Sequence, residues 1–184
     1  ASPTGTLWLV ATPIGNLGYY PPRASEVLSS VDLLSCEDTR RTGVLLRHIG
    51  LRVPRMAVCT DYTELACSRD VLDVLATASD VALVSDDGTP GVSDPGERIV
   101  REALDACDPE SAVRGTSAVI MALTISGLPT SRFVFEGFLP RKGRERSERL
   151  AEISSESRTT VIYEAPHRIE RTLHDLRSAL GDAR

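Results

Sequence analysis

The stretch Val81–Gly96, VALVSDDGTPGVSDPG, decides how this chain is read. It opens on Val81-Ala82-Leu83-Val84, a short apolar run with the length and composition of a strand buried in a parallel sheet. Ser85-Asp86-Asp87-Gly88-Thr89-Pro90-Gly91 follows, too rich in Gly, Pro and Asp to continue a helix or a strand. Regular structure restarts at Asp94-Pro95-Gly96-Glu97. Asp94 is placed to cap free N–H groups, Pro95 suits a first helical position, and Glu97 completes a capping-box-like spacing. Strand, glycine loop and helix start together set backbone N–H groups and carboxylates at the carboxyl end of a strand. In open α/β sheets ligands bind there. A tight βα connection without a ligand explains the same residues about equally well.

Working outward, the 184 residues suit one domain, or one domain and part of another. With 41% hydrophobic and 26% charged residues, the composition is that of an ordinary globular protein. No stretch has the apolar length of a membrane span, and the first residues lack the basic start and apolar core of a signal peptide. Cys36, Cys59, Cys67 and Cys107 lie far apart without a C-x-x-C pair, which argues against a zinc site and against a disulfide framework. The expectation is a cytoplasmic protein with reduced thiols, no metal and no membrane partner.

The net charge of −5 hides an uneven distribution. Residues 56–112 hold 13 acids and 3 bases, and the remainder of the chain is net positive. Arginines gather at Arg40, Arg41 and Arg47, and again in the run Arg141-Lys142-Gly143-Arg144-Glu145-Arg146-Ser147-Glu148-Arg149. An anionic polymer could meet these basic regions while avoiding the acidic middle. A solvated helix face, with Glu145 and Glu148 paired to their arginines, accounts for the second run as well.

Taken in order, Thr6–Ala11 reads as the first strand, followed by the loop Thr12–Gly18. That loop lacks both G-x-G-x-x-G and the Lys and Ser/Thr of a P-loop. Pro21-Pro22 opens the helix Arg23–Ser30, and Val31–Ser35 is the second strand. Glu37-Asp38-Thr39-Arg40-Arg41 sits at its end, ahead of a helix running through His48 to Gly50. Arg55–Thr60 reads as strand three. Asp61 is placed to cap a helix reaching about Ala78, with Leu65, Leu72 and Leu75 on its inner face. After the central strand and the helix Glu97–Ala106, another strand is due, yet Cys107–Thr116 offers no apolar run long enough. Ser117–Ser126 is an apolar helix stopped by Gly127, and residues 128–132 form the expected boundary between domains 1–130 and 131–184. Beyond it lie a strand from Phe133, a polar helix Glu145–Ser154, a strand Thr159–Tyr163 and a helix Ile169–Leu180. This alternation predicts an α/β protein with a mostly parallel N-terminal sheet and helices on both faces. Two strands and two helices give the second domain too little to bury a core of its own.

Five segments in this order, ATPIGN (11–16), EDTRRT (37–42), VALVSDDGTPGVSDPG (81–96), SGLPTSRFVFEGFLPRKG (126–143) and YEAPHR (163–168), resemble the tetrapyrrole (corrin/porphyrin) methylase superfamily. Within it they are similar to the branch that 2′-O-methylates a decoding-centre cytidine of small-subunit ribosomal RNA. The resemblance spans Thr6 to Leu180. It implies a two-domain tetrapyrrole-methylase-like fold with the C-terminal α/β domain present only in part. It also implies S-adenosylmethionine in the cleft between the domains, a homodimer, and 16S rRNA in the small ribosomal subunit as partner. Two loops depart from the family pattern. The usual aspartate-alanine-glycine reads Asp86-Asp87-Gly88, adding a carboxylate. An apolar strand with a proline-glycine-proline-serine turn is replaced by Ala112-Val113-Arg114-Gly115-Thr116-Ser117.

By that resemblance, Pro13, Ile14 and Gly15, then Asp86, Asp87, Gly88, Thr89 and Pro90, and finally Thr116, Ser117 and Ala118 would line the cofactor. Asp94 joins them as a carboxylate able to accept from a ribose hydroxyl or an ammonium, although a plain helix cap is its bland reading. Glu37 or Asp38 would be the general base or its orienting group. Arg40, Arg41, Arg141, Lys142, Arg144, His167 and Arg168 would meet RNA, guanidinium matching phosphate bidentately. Two further readings stay open: methylation of a tetrapyrrole carbon on the same fold, and a non-catalytic RNA-binding or assembly module.

Overall fold

Five short strands line up in parallel in the order β3-β2-β4-β1-β5, the strands being β1 (Leu7–Val10), β2 (Leu33–Cys36), β3 (Met56–Val58), β4 (Val81–Val84) and β5 (Glu110–Val113). Helices α1 (Pro22–Ser30), α2 (Thr39–His48), α3 (Glu64–Leu75) and α4 (Glu97–Asp105) connect them in turn. This computed structural model describes residues 4–52, 55–60, 62–106 and 109–182. Asp61, expected as the cap of α3, and Cys107 lie outside the described residues.

Alternation along each strand sorts the core into two layers. Ala82 and Val84 of β4 join Val10, Leu34 and Cys36 beneath α1 and α2, with Ala24, Val27, Leu28 and Leu46 completing that layer. Val81 and Leu83 turn the other way, with Leu7 and Leu33, to meet Val71 and Leu75 of α3 and Ile99 and Ala103 of α4. All four β4 residues are buried, as a strand covered on both faces requires. The chain leaves β1 toward one edge of the sheet and leaves β4 toward the other. The ends of these two adjacent strands therefore form a topological switch point, where such sheets open a crevice. Trp8 of β1 packs against the first of these layers, its Nε1 donating to Asp80 Oδ2 at 3.5 Å and the Arg23 guanidinium lying 5.7 Å from its ring centre.

Three expectations are corrected. A fifth strand does exist within 107–116, pairing Leu7↔Glu110 through Val10↔Val113. It escapes notice because it is an edge strand: of its four residues only Val113 is buried, and backbone pairing to β1 substitutes for an apolar run. On α3 the inner face is Cys67, Ser68, Val71 and Leu75, which leaves Leu65 exposed. The N-cap position of α4 is Gly96, at φ +132°, rather than Asp94. The cap comes from another helix: Glu64 Oε1 accepts from Gly96 N at 2.9 Å and from Arg98 N at 3.2 Å. Its negative charge also suits the positive end of α4.

The chain divides spatially into two units, Ala1–Ala118 and Val119–Arg184, a division that falls earlier than residues 128–132. The helix α5 (Ala118–Ser126) therefore lies almost wholly with the second unit, where it ends at Gly127 with φ +70°. The rest of that unit comprises the parallel pair β6 (Phe133–Phe138) and β7 (Thr159–Tyr163) with α6 (Gly143–Ser155) and α7 (Ile169–Leu180). Every residue of β7 is only half-buried, in keeping with a two-stranded sheet.

Removing the shared cap, Glu64→Ala should cost about 1–2 kcal/mol, because two N–H groups at the start of α4 lose a charged acceptor. Urea unfolding of the variant against the parent measures it.

Candidate active site

The loops leaving β1, β4 and β5 are sewn into one body by small hydroxyl side chains. Thr12 N donates to Gly88 O at 2.8 Å. The Thr12 hydroxyl donates to Ser85 O and accepts from Gly88 N, both at 3.1 Å. Ser85 Oγ donates to Gly88 O at 3.1 Å, Thr116 Oγ1 to Thr12 O at 3.0 Å, and Thr89 Oγ1 to Thr116 O at 3.3 Å. Thr12 and Ser85 are buried, so these bonds satisfy backbone groups that water does not reach. Gly88 holds φ +91°, and a Cβ there would stand 3.3 Å from Ile14 Cγ2. At Gly115 a Cβ would fall 2.4 Å from that of Ala11, so the third loop can approach β1 only as glycine.

Pro13, Ile14 and Gly15, Asp86 to Pro90, and Thr116 are thereby brought together beyond the carboxyl ends of β1, β4 and β5. Ser117 and Ala118 follow directly in the chain, both half-buried. Asp94 is half-buried in the turn ahead of α4. Sequence reasoning passed over Thr12 and Ser85. The available signal was a hydroxyl residue set immediately after an apolar run.

From the neighbouring strand β2, two acids and two arginines approach this body. Glu37 Oε1 accepts from Asp86 N at 3.1 Å. Arg41 bridges the aspartate pair, NH1 to Asp86 Oδ2 at 3.1 Å and NH2 to Asp87 Oδ2 at 2.8 Å, which offsets the additional carboxylate noted in the sequence. The second oxygen of Asp86, Oδ1, is shielded from solvent and has no hydrogen-bond partner among the described residues. Asp38 caps α2 by accepting from Arg40 N at 2.8 Å and also receives the Arg40 guanidinium at 2.9 and 3.2 Å. These Arg40 hydrogen bonds hold the Asp38 carboxyl down at about 2, the opposite of what a proton acceptor near neutrality needs. Arg40 and Arg41 are thus both engaged with acids of the chain, Arg40 at a highly exposed position.

Behind this cluster Ser35 Oγ and Cys67 Sγ lie 3.1 Å apart; burial pushes the Cys36 thiol up, and the hydrogen bond with Cys67, together with burial, pushes the Cys59 thiol up. Cys36 and Cys59 are packing groups rather than nucleophiles. Among the described residues, no three His, Cys, Asp or Glu side chains are grouped to hold a metal ion, and no helix is long and apolar enough to cross a membrane.

In the second unit, Arg141, Lys142 and Arg144 leave the end of β6, while His167 and Arg168 leave the end of β7. Arg141, His167 and Arg168 line one hollow. Arg144 instead pairs with Glu148 at 2.6 Å along α6, which is the solvated-face arrangement. A residue the sequence reading did not single out, Arg146, is 5% exposed and anchors the region: Nε donates to Asp175 Oδ2, NH1 to Pro140 O and NH2 to Thr172 Oγ1, each at 2.9 Å.

Comparison with known proteins agrees with this architecture. The chain is 47% identical over 180 residues to a Synechocystis protein called "Ribosomal RNA small subunit methyltransferase I", covering 98% of this chain and 64% of that one. A Haemophilus influenzae protein of the same name is 44% identical over 181 residues, with the same coverage. The chain therefore spans a little under two thirds of the length of these relatives. A solved uroporphyrin III C-methyl transferase from Thermus thermophilus shares the fold, with a TM-score of 0.64 at 18% identity over 96% of this chain and 77% of that one. Residues 6–184 match the family described as Tetrapyrrole (Corrin/Porphyrin) Methylases, with the five-stranded parallel sheet and stitched strand-end loops in the matched region, and the chain belongs to that family.

Proposed function

We propose that this chain belongs to an S-adenosylmethionine-dependent methyltransferase that modifies the ribose 2′-hydroxyl of a decoding-centre cytidine in 16S rRNA. The observation that carries the reading is the three-loop body at the switch point, with a shielded, unpartnered carboxylate oxygen of Asp86 in it. The similarity to relatives named as small-subunit rRNA methyltransferases supports the substrate class.

The residues fit the methyl donor: a buried acceptor with no donor of its own, and a loop kept free of side-chain bulk at Gly88. Pro13, Ile14, Gly15, Asp86 to Pro90, Asp94, Thr116, Ser117 and Ala118 would hold it, with Asp86 accepting from a hydroxyl or ammonium. Bound there, S-adenosylmethionine would supply an electrophilic methyl group on a sulfonium leaving group that needs no protonation. Positioning then provides much of the rate. What remains is the proton of the ribose hydroxyl. Of the two acids, Glu37 suits its removal better, because Asp38 is held strongly acidic by Arg40. Asp38 would act by orienting Arg40, and Arg40 and Arg41 would exchange their exposed ion pairs for RNA phosphate. A homodimer acting on the small ribosomal subunit in the cytoplasm completes the reading.

Calorimetric titration with S-adenosylmethionine should show binding by the parent and about 10–150-fold weaker binding by Asp86→Asn, the loss of a hydrogen bond to a charged group. Methyl transfer to unmodified small subunits should fall at least tenfold for Glu37→Gln with little change in cofactor affinity, and near-parental turnover would remove Glu37 from the chemistry. Thr12→Val should destabilise the chain by about 1–3 kcal/mol in urea, since the buried Gly88 N–H loses its acceptor. In Arg40→Ala the Asp38 carboxyl should return from about 2 toward the ordinary aspartate value of 3.8, measured by NMR titration. Its folded value is depressed, so its stabilising effect holds above the unfolded value and fades as pH falls toward 2.

A further inference from the structure

The loops leaving β6 and β7 enclose a hollow of about 360 Å³, lined by Phe138, Pro140, Arg141, Ala165, His167 and Arg168 among others. That volume is at the lower end for small-ligand sites, suited to a group the size of one nucleotide. Phe138 is 52% exposed. It is held rather than loose: its ring packs edge-on to Tyr163 at 5.6 Å, and Tyr163 packs against Phe135 at 4.9 Å. Around it the charge is positive. Arg141 and its neighbour Lys142 have no ion-pair partner among the described residues. Arg168 is paired with Glu164, yet its NH1 is shielded and without a hydrogen-bond partner.

Both loops are fixed from behind. Arg146 grips the Pro140 carbonyl and the Thr172 hydroxyl. Thr172 donates in turn to Glu164 Oε2 at 2.6 Å, while Glu164 Oε1 accepts from Ala165 N at 2.7 Å. Burial opposes the Glu164 charge, but these donors and Arg168 keep its carboxyl below the usual range. A buried arginine is costly unless every donor is matched, and here the matched set holds two exposed loops in one arrangement.

We propose that this cradle takes one unpaired nucleotide of an RNA strand, its base stacked on Phe138 and its flanking phosphates held by Arg141, Lys142 and His167. The proposal rests on the RNA-directed reading above and names where the strand is gripped. An aromatic platform among cations is the chemistry that single-stranded nucleic acid requires, every base having a π-face.

The test is fluorescence anisotropy of a labelled short single-stranded RNA with the whole chain at several salt concentrations. Phe138→Ala should weaken binding about 5–150-fold without changing the salt dependence, and Phe138→Trp should retain it. Arg141→Ala and Lys142→Ala should each reduce the slope of log affinity against log salt by about 0.7. Circular dichroism melting identifies any variant that fails to fold, in which case the Trp variant and the two charge variants decide. Parental affinity and slope in folded Phe138→Ala, Arg141→Ala and Lys142→Ala would overturn the cradle while leaving RNA binding intact. Absence of RNA binding by the unaltered chain would overturn both this site and the RNA-directed reading.

Discussion

Everything at the candidate site depends on how the turns after β1 and β4 satisfy their buried backbone. Two adjacent parallel strands end together, their chains depart in opposite directions, and polar main-chain groups are left without sheet partners. Thr12 resolves this by offering its backbone N–H and both functions of its hydroxyl to Ser85 and Gly88. Thr116 then attaches the loop after β5 to the same body. The geometry of the site is therefore a by-product of hydrogen-bond satisfaction, obtained with small side chains that leave space beside them.

Charge is arranged with comparable economy. Four carboxylates converge near the ends of β2 and β4, and the chain offsets them with Arg40 and Arg41 rather than by burial of neutral groups. Glu37 is tied to the backbone of Asp86, so the acid-rich end of β2 and the loop after β4 share one position. The second unit uses another solution, a buried guanidinium with all its partners inside the protein. In the first case the cations stay available to a ligand, whereas in the second the cation serves only to brace the loops that carry others.

What the sequence made legible was whatever depends on local pattern. The apolar run Val81–Val84, the glycine loop after it and the alternation of strands with helices predict a parallel sheet, and the structure has that form. Leu65 misleads because a leucine counts as core in any apolar tally, while the buried face of α3 is built from Cys67, Ser68, Val71 and Leu75. The fifth strand was hidden because pairing to one neighbour does not demand an apolar run. Caps and braces were the least readable. Glu64 lies 32 residues from the Gly96 N–H that it receives, and Arg146 lies 29 from Asp175. The start of α4, near which Asp94 has the spacing of a local cap, also draws an acceptor from long range.

The position of Trp8 has a practical consequence. It is the single indole of the chain and sits in the central sheet, bonded to Asp80 and overlain by Arg23. The second unit has no tryptophan. Steady-state emission excited at the red edge thus follows melting of the amino-terminal half alone, while far-ultraviolet ellipticity sums both halves. Comparing the two optical traces on a single sample separates the cooperativity of one half from that of the other, with no extrinsic dye attached.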